Sequence, residues 1–192
     1  MPRPFHSLLL AVCLLGLQGR AAGTDWWEKL GVRDLAGASL TPSGRWMVLV
    51  FLSPECPVAN AEIPVLNALA NEFGSRGFSF VGVYADPTLT LTELRRHVSD
   101  YRLAFPAADD RAQRVVHATG AKYTPEVFVF AREGALLYRG RIDDRVDDFG
   151  AARPTATRQD LREALLALAD GRSGPFPGQA GFGCSIAEPV QR

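Results

Sequence analysis

Four short apolar runs punctuate the chain, and apolar positions recur at helical spacing between them. Trp46 to Leu52 (WMVLVFL) and Phe78 to Tyr84 (FSFVGVY) hold too few polar residues for one face to meet water. Such runs predict strands buried on both sides. Between them, Pro57 to Phe73 carries Val58, Ala61, Val65, Leu66, Leu69 and Ala70 at the period of an amphipathic helix. Pro57 suits the first turn, where an N–H is not needed. Pro64 is expected to kink the helix, and Gly74 and Gly77 mark its exit.

Leu89 to Tyr101 reads as a second helix, opening on Thr90 or Thr92, and Asp110 to Thr119 as a shorter one that ends at Gly120. Val127 to Phe130 and Ala135 to Tyr138 are strands joined by Arg132-Glu133-Gly134, a hairpin signal. Thr157 is the expected cap of a last helix, Arg158 to Ala169, whose apolar face holds Leu161, Ala164, Leu165 and Leu168. Beyond Gly171 the Gly- and Pro-rich stretch GRSGPFPGQAGFGCSIAEPVQR predicts extended, irregular chain. Strands alternating with helices, without an internal repeat, indicate one α/β domain over about Asp25 to Asp170. Residues 171–192 form a tail, mobile or cross-linked, that carries Cys184.

Composition narrows the function. With 192 residues, 47% hydrophobic and 22% charged, the chain can bury a core without help from disulfides. Net charge is zero and neither sign forms a long run, which argues against a nucleic-acid binder, since that would need a basic face. Residues 1–22 read as a secretory signal: Arg3 gives a positive start, Leu8 to Leu17 an apolar stretch of ten, and Ala21, Ala22 and Gly23 a small-residue exit. A lipid anchor on Cys13 is the competing reading, disfavoured by the bulk of Val12. Cleavage leaves a periplasmic or secreted protein without a membrane span, with 19 basic and 21 acidic residues and two cysteines. Outside the cytoplasm two cysteines can exist as a disulfide.

Cys56 stands between a buried strand and a helix N-terminus. Unpaired N–H groups and the helix dipole favour negative charge there, so the thiol should ionise more easily than a free one. Glu55 beside it acts the other way, and a buried structural cysteine is the plainer alternative.

Here the sequence resembles the thioredoxin superfamily. The residues that carry the likeness are the order strand–Cys56–helix, Pro64 eight positions later, the Tyr123-Thr124-Pro125 loop before a strand, and the closing hairpin and helix. FLSPECPVAN, TPEVFVF, YRGRIDDR and the terminal GCSI are similar to the AhpC/TSA-like redoxins of bacteria (the alkyl hydroperoxide reductase type), over about Val32 to Ile186. The resemblance implies a thioredoxin-like fold, a central mixed sheet flanked by helices. It implies a cis bond at Thr124-Pro125 facing Cys56, and thiol–disulfide or thiol–peroxide chemistry without a cofactor. Ser53, Pro57, Thr124 and Pro125 would support the sulfur or shape the substrate groove.

Two departures stand out. Ala59 occupies the place of a second cysteine on the active-site helix, and Leu49 replaces the leading proline of the peroxiredoxin pattern, although Ser53, Cys56 and Pro57 fit it. The peroxide-holding arginine has no certain equivalent; Arg139 and Arg141 are candidates only by proximity, their simpler reading being solvated strand-end charges. Cys184 is then the candidate resolving sulfur. Thirteen residues separate it from Gly171, a reach of at most about 43 Å, against a radius of gyration near 15 Å, roughly, for a domain of this size. A free tail thiol or an intermolecular bridge remains the alternative.

His97 and His117 show no metal spacing and read as helix-surface and helix-end residues; no metal site is expected. Asp143, Asp144, Asp147 and Asp148 read as a solvated acidic loop, with calcium as the alternative. Trp26 and Trp27 are expected to dock the start of the mature chain on the domain. The expected function is an exported thiol oxidoreductase using Cys56, with Cys184 resolving. Its partners would be a protein or small-molecule disulfide or a peroxide, and a thiol electron donor. The alternative is a redox-inactive thioredoxin-fold binding module, for which Ala59 is the best support.

Overall fold

The computed structural model describes residues 25–146 and 152–187. The signal expected over residues 1–22, together with Asp147 and Asp148, lies outside them. In chain order the elements are α1 (Asp25–Leu30), β1 (Arg33–Asp34), β2 (Trp46–Leu52), α2 (Pro57–Gly74), β3 (Phe78–Tyr84), α3 (Leu91–Asp100) and β4 (Ala107–Asp109). There follow α4 (Arg114–Thr119), β5 (Tyr123–Thr124), β6 (Glu126–Ala131), β7 (Leu136–Gly140), α5 (Asp160–Ala169) and β8 (Cys184–Ser185).

Six strands form one mixed sheet in the order β1-β4-β3-β2-β6-β7, and β5 pairs with β8 apart from it. β2 lies at its centre, parallel to β3 and antiparallel to β6. Every β2 residue is buried, as its apolar run requires. Successive side chains point to opposite faces. Val48, Val50 and Leu52 therefore join a core with Leu66, Leu69 and Phe73 of α2 and Leu161 and Leu165 of α5. Met47, Leu49 and Phe51 join another with Trp27, Val115 and Phe128. Each of these large side chains contributes about 2 kcal/mol on burial, and β2 supplies both layers.

The helices depart from expectation where polar groups compete for their ends. α2 buries Ala59, Glu62, Ile63, Leu66, Leu69 and Phe73, a face rotated from the expected one, and leaves Ala61 exposed. It runs through Pro64 to Gly74. Thr90, not Thr92, caps α3, in a reciprocal pair with Glu93. α4 starts at Arg114 because left-handed Gln113 (φ 57°) interrupts the turn, and Asp110 caps it from outside, accepting from the Val115 and Val116 N–H groups. Thr157 does not cap α5; its N–H and hydroxyl both bond Asp144, and the helix begins at Asp160.

Three surface readings need correction. Asp143 and Asp144 are buried: Asp143 pairs with Arg145 (3.0 Å) and Asp144 with Arg153 (2.8 Å). Hydrogen bonds from the Thr157 hydroxyl and the Arg158 N–H hold the Asp144 carboxyl well below the usual carboxylate range. Arg139 and Arg141 are not solvated strand-end charges, since they pair with buried Glu126 and Asp160, each at 2.7 Å. His97 is buried rather than on a helix surface, with Nδ1 2.7 Å from the Tyr84 hydroxyl and Nε2 2.8 Å from Asn60 Oδ1. The reason is common to all three: each charge found a partner that sequence spacing does not display. Trp27 is buried, its Nε1 donating to the Leu40 carbonyl, and Trp26 packs on Phe130, so the start of the domain is docked as expected.

Over residues 171–187 the tail is extended as expected and hydrogen-bonded to the domain, with Cys184 a free thiol. The Phe176 N–H donates to Leu137 O (2.7 Å), the Arg141 N–H to Gln179 O (2.9 Å) and the Ile186 N–H to Lys122 O (3.0 Å). It thus follows β7, the last strand of the sheet, and then reaches the Thr124-Pro125 loop. Glycine permits this close approach: a Cβ on Gly178 would lie 1.8 Å from Arg139 O, and one on Gly183 2.1 Å from Thr124 O. No helix among the described residues is long and apolar enough to cross a membrane.

Candidate active site

β2 ends at Leu52 and α2 begins at Pro57, so Ser53-Pro54-Glu55-Cys56 must turn the chain within four residues. The turn is closed by the Cys56 N–H on Ser53 O (3.1 Å) and by Ser53 Oγ, which accepts from the Glu55 N–H (3.3 Å). Asn60, one helical turn on, donates through Nδ2 to Pro54 O (2.9 Å). Its Oδ1 meets His97, whose other nitrogen meets Tyr84. A chain of side chains from β3 through α3 therefore anchors the turn. Burial lowers the His97 pKa against the opposing Asp100 charge, so the ring stays neutral and bridges the two neighbours.

Cys56 is the N-cap of α2, with Sγ accepting from the Ala59 N–H at 3.4 Å. It has no exposed surface. The Thr124-Pro125 bond is cis and brings Thr124 O within 3.0 Å of Sγ, where the protonated thiol donates to it. β8 then lies antiparallel to β5 with Thr124 opposite Cys184. Cys184 is thereby brought beside Cys56, and both sulfurs are free thiols.

The two thiols are driven apart electrostatically. Burial raises the Cys56 pKa, but hydrogen bonds from the Cys184 thiol, the Thr124 side chain and the Ala59 N–H outweigh it, and the net shift is downward. Burial, and then the same hydrogen bond seen from the donor's side, push Cys184 up to about 11. The opposite shifts make Cys56 the more acidic of the two thiols.

The other expected residues fall into place unequally. Thr124 and Pro125 are buried against the sulfur. Pro57 is exposed at the first turn of α2, and Ser53 serves the turn rather than the sulfur. Arg139 donates to Glu126 and Gly120 O, and Arg141 donates to Asp160 and lines a hollow with Val58 and Pro125. Among the described residues no group of His, Cys, Asp or Glu could hold a metal ion.

Glu62 was not anticipated. It sits on the buried face of α2 and shares a shallow hollow with Val58, Pro125 and Asp143. Burial and the Asp143 charge push its carboxyl up to about 7, against the pairing with Arg145. The available signal was a carboxylate three residues after Ala59, on the stripe that continues through Leu66 and Leu69.

This arrangement has relatives. The AhpC/TSA family model matches residues 30–139, more than half of the chain. The protein belongs to the AhpC/TSA family. The family match contains Cys56 and the cis-proline loop but ends before Cys184. The thiol-disulfide oxidoreductase ResA of Bacillus thuringiensis (strain Al Hakam) is 26% identical over 110 residues, 57% of this chain and 58% of that protein. The match thus spans less than two thirds of the curated relative. A hypothetical protein from Sinorhizobium meliloti 1021 superposes with a TM-score of 0.72 at 27% identity, over 83% of this chain and 91% of that one. A secreted Mycobacterium tuberculosis disulfide oxidoreductase, homologous to E. coli DsbE, shares the fold at 24% identity with a TM-score of 0.53, over 73% and 98% of the two chains.

Proposed function

We propose that the protein is an exported thiol–disulfide oxidoreductase in which Cys56 attacks and Cys184 resolves. The observation that carries the reading is the β5–β8 pairing, in which Cys184 lies opposite the residue whose carbonyl is 3.0 Å from Cys56 Sγ, with Cys56 the more acidic thiol and Cys184 the less acidic. The Cys56 thiolate attacks one sulfur of a substrate disulfide; a new S–S bond forms, the substrate bond breaks, and one substrate thiolate leaves and takes a proton from solvent. Cys184 then attacks Cys56 Sγ, giving the Cys56–Cys184 disulfide and releasing the second substrate thiolate, which takes the proton Cys184 gives up. The substrate gains two electrons and two protons, the protein loses them, and a donor thiol restores the pair. Ala59 is no obstacle, since the second sulfur arrives on β8 instead of α2.

A disulfide substrate is favoured over a peroxide by the arginines. Arg139 and Arg141 each pair with a buried carboxylate, Glu126 and Asp160, which offsets the positive charge that would hold a peroxide. The relatedness to a thiol-disulfide oxidoreductase supports the same choice. Non-reducing peptide mapping after mild oxidation tests the reading, with stopped-flow oxidation of the reduced protein by a peptide disulfide and by hydrogen peroxide. The expected result is a Cys56–Cys184 linked peptide and faster reaction with the disulfide. Two free thiols after treatment with either oxidant would instead indicate the binding module.

A further inference from the structure

The sulfur at the centre of the site is wholly buried, yet none of residues 171–187 that lie over this side of the fold is buried. Cys56 is therefore closed from solvent in part by a segment that itself faces solvent. The segment is held by directional backbone bonds: Phe176 to Leu137 O, Gln179 O from Arg141, Ile186 to Lys122 O, and the Thr124–Cys184 pairing. Side chains add to this: the Gly181 N–H donates to the Tyr123 hydroxyl (2.9 Å), the Gln113 side chain donates to Ala187 O, and Phe176 and Cys184 pack on one core and Ile186 on the other. Yet none of these segment residues is fully buried, and Phe182 is 40% exposed. A segment with few buried apolar contacts and solvent-facing hydrogen bonds opens more easily than the domain unfolds.

We propose that residues 176–187 are a redox-locked gate over Cys56: seated it closes the sulfur, lifted it admits a disulfide substrate, and the Cys56–Cys184 bond locks it shut. The proposal rests on the reading of Cys56 as the reactive sulfur. A polypeptide disulfide cannot approach a sulfur with no exposed surface, so the first attack requires the gate to lift from β5. The second step requires it to return, because Cys184 travels on it. Forming the lock oxidises the two thiols by two electrons and two protons, which the substrate disulfide accepts as it becomes two thiols. Cycling of the gate thus has the same direction as the chemistry: open to load, closed to resolve.

Gly178 gives access to the gate without touching either sulfur. A methyl there meets Arg139 O at 1.8 Å, a backbone atom that cannot swing aside, so Gly178→Ala unseats the segment from β7. The experiment labels the reduced full-length protein with a bulky maleimide and follows Cys56 by mass spectrometry. Gly178→Ala is expected to react about tenfold faster or more than the parent, with the circular dichroism of the folded domain retained. Equal rates in a folded variant would overturn the gate. Hydrogen exchange on the unaltered protein decides independently of any variant. The Phe176, Gly181 and Ile186 amides are expected to exchange together and before those of β6, and to slow on oxidation. Exchange of these amides only with the β6 core would overturn it as well. The two readings fail separately. Faster labelling of Gly178→Ala without any Cys56–Cys184 disulfide keeps the segment as a cover over Cys56 but removes its redox lock together with the proposed turnover, whereas turnover with equal labelling removes the gate alone.

Discussion

At the scale of the residue, the site rests on one asymmetry: Cys56 is lowered by donors that include the very thiol it raises. Cys184→Ala removes one donor, so the alkylation midpoint of Cys56 should rise relative to the parent, whose own midpoint should lie below the free thiol value of about 8.5. Alkylation rate against pH for the two proteins reads both quantities, and an unmoved midpoint would deny Cys184 its donating role. Glu62 gives the second test. Its folded pKa of about 7 exceeds the unfolded carboxyl value, so the folded state keeps a proton that the unfolded chain has released. Its stabilising contribution is complete at low pH, below the unfolded pKa, and is lost as pH rises to the folded one. The stability of the parent relative to Glu62→Gln should fall by about 3 kcal/mol between pH 4 and pH 8. Urea titrations at the two pH values check this, and a parallel pair of curves would mean that Arg145 keeps Glu62 ionised throughout. Cys56 stood out in the sequence because a helix end is a local feature, and Thr124 and Pro125 through the likeness to thioredoxin-like proteins. Glu62 and His97 were not, because a charge inside an apolar stripe becomes meaningful only when its partners, Arg145 and Tyr84, arrive from elsewhere in the chain.

At the scale of the element, the active-site turn depends on α3 as much as on α2. His97→Leu leaves the Tyr84 hydroxyl and Asn60 without their buried partner, a loss of about 1–3 kcal/mol. Thermal unfolding should register it, and His97→Gln, which can still bond Asn60, should recover part. β2, β3, β6 and β7 were read within a residue or two, since runs such as VFVF have no alternative placement, while the short β1, β4 and β5 were not read as strands and α4 and α5 were read too long at their starts. Asp110 and Asp144 are the cause: each draws N–H groups into caps that displace the first turn. β8 escaped sequence reading altogether, being two residues long within a Gly-rich stretch. Its position has a consequence for re-reduction. With both thiols free, Cys184 is partly exposed and Cys56 has no exposed surface, and the more acidic Cys56 is the better leaving thiolate. A small donor thiol such as glutathione should therefore attack Cys184 Sγ. Acid-quenched reaction mixtures should show the mixed disulfide on Cys184; finding it on Cys56 would reverse the order of the pair.

At the scale of the whole molecule, the family match and the tail divide the work: residues 30–139 provide the sulfur and its cis-proline loop, and the second sulfur lies beyond them. Closing a loop of about 129 residues between the cysteines would stabilise the folded state by about 5 kcal/mol in the chain-entropy model. Guanidinium unfolding of oxidised and reduced protein should separate the two forms in that direction, and less than the full value would remain where oxidation strains the seated segment. The expected export is tested by intact mass on protein from the native host, with the mature chain starting between Ala22 and Thr24; an intact Met1 on a cytoplasmic protein would contradict it. The position of the tail along β7 has one more effect. β7 is the last strand of the sheet, and an uncovered last strand is a template on which a second molecule can pair. By occupying Leu137 O and the Arg141 N–H, the tail denies that template to neighbours. The opening that admits a substrate must therefore also expose, for its duration, a surface prone to self-association, so the protein's colloidal behaviour should follow its redox state: reduced and concentrated, it aggregates first.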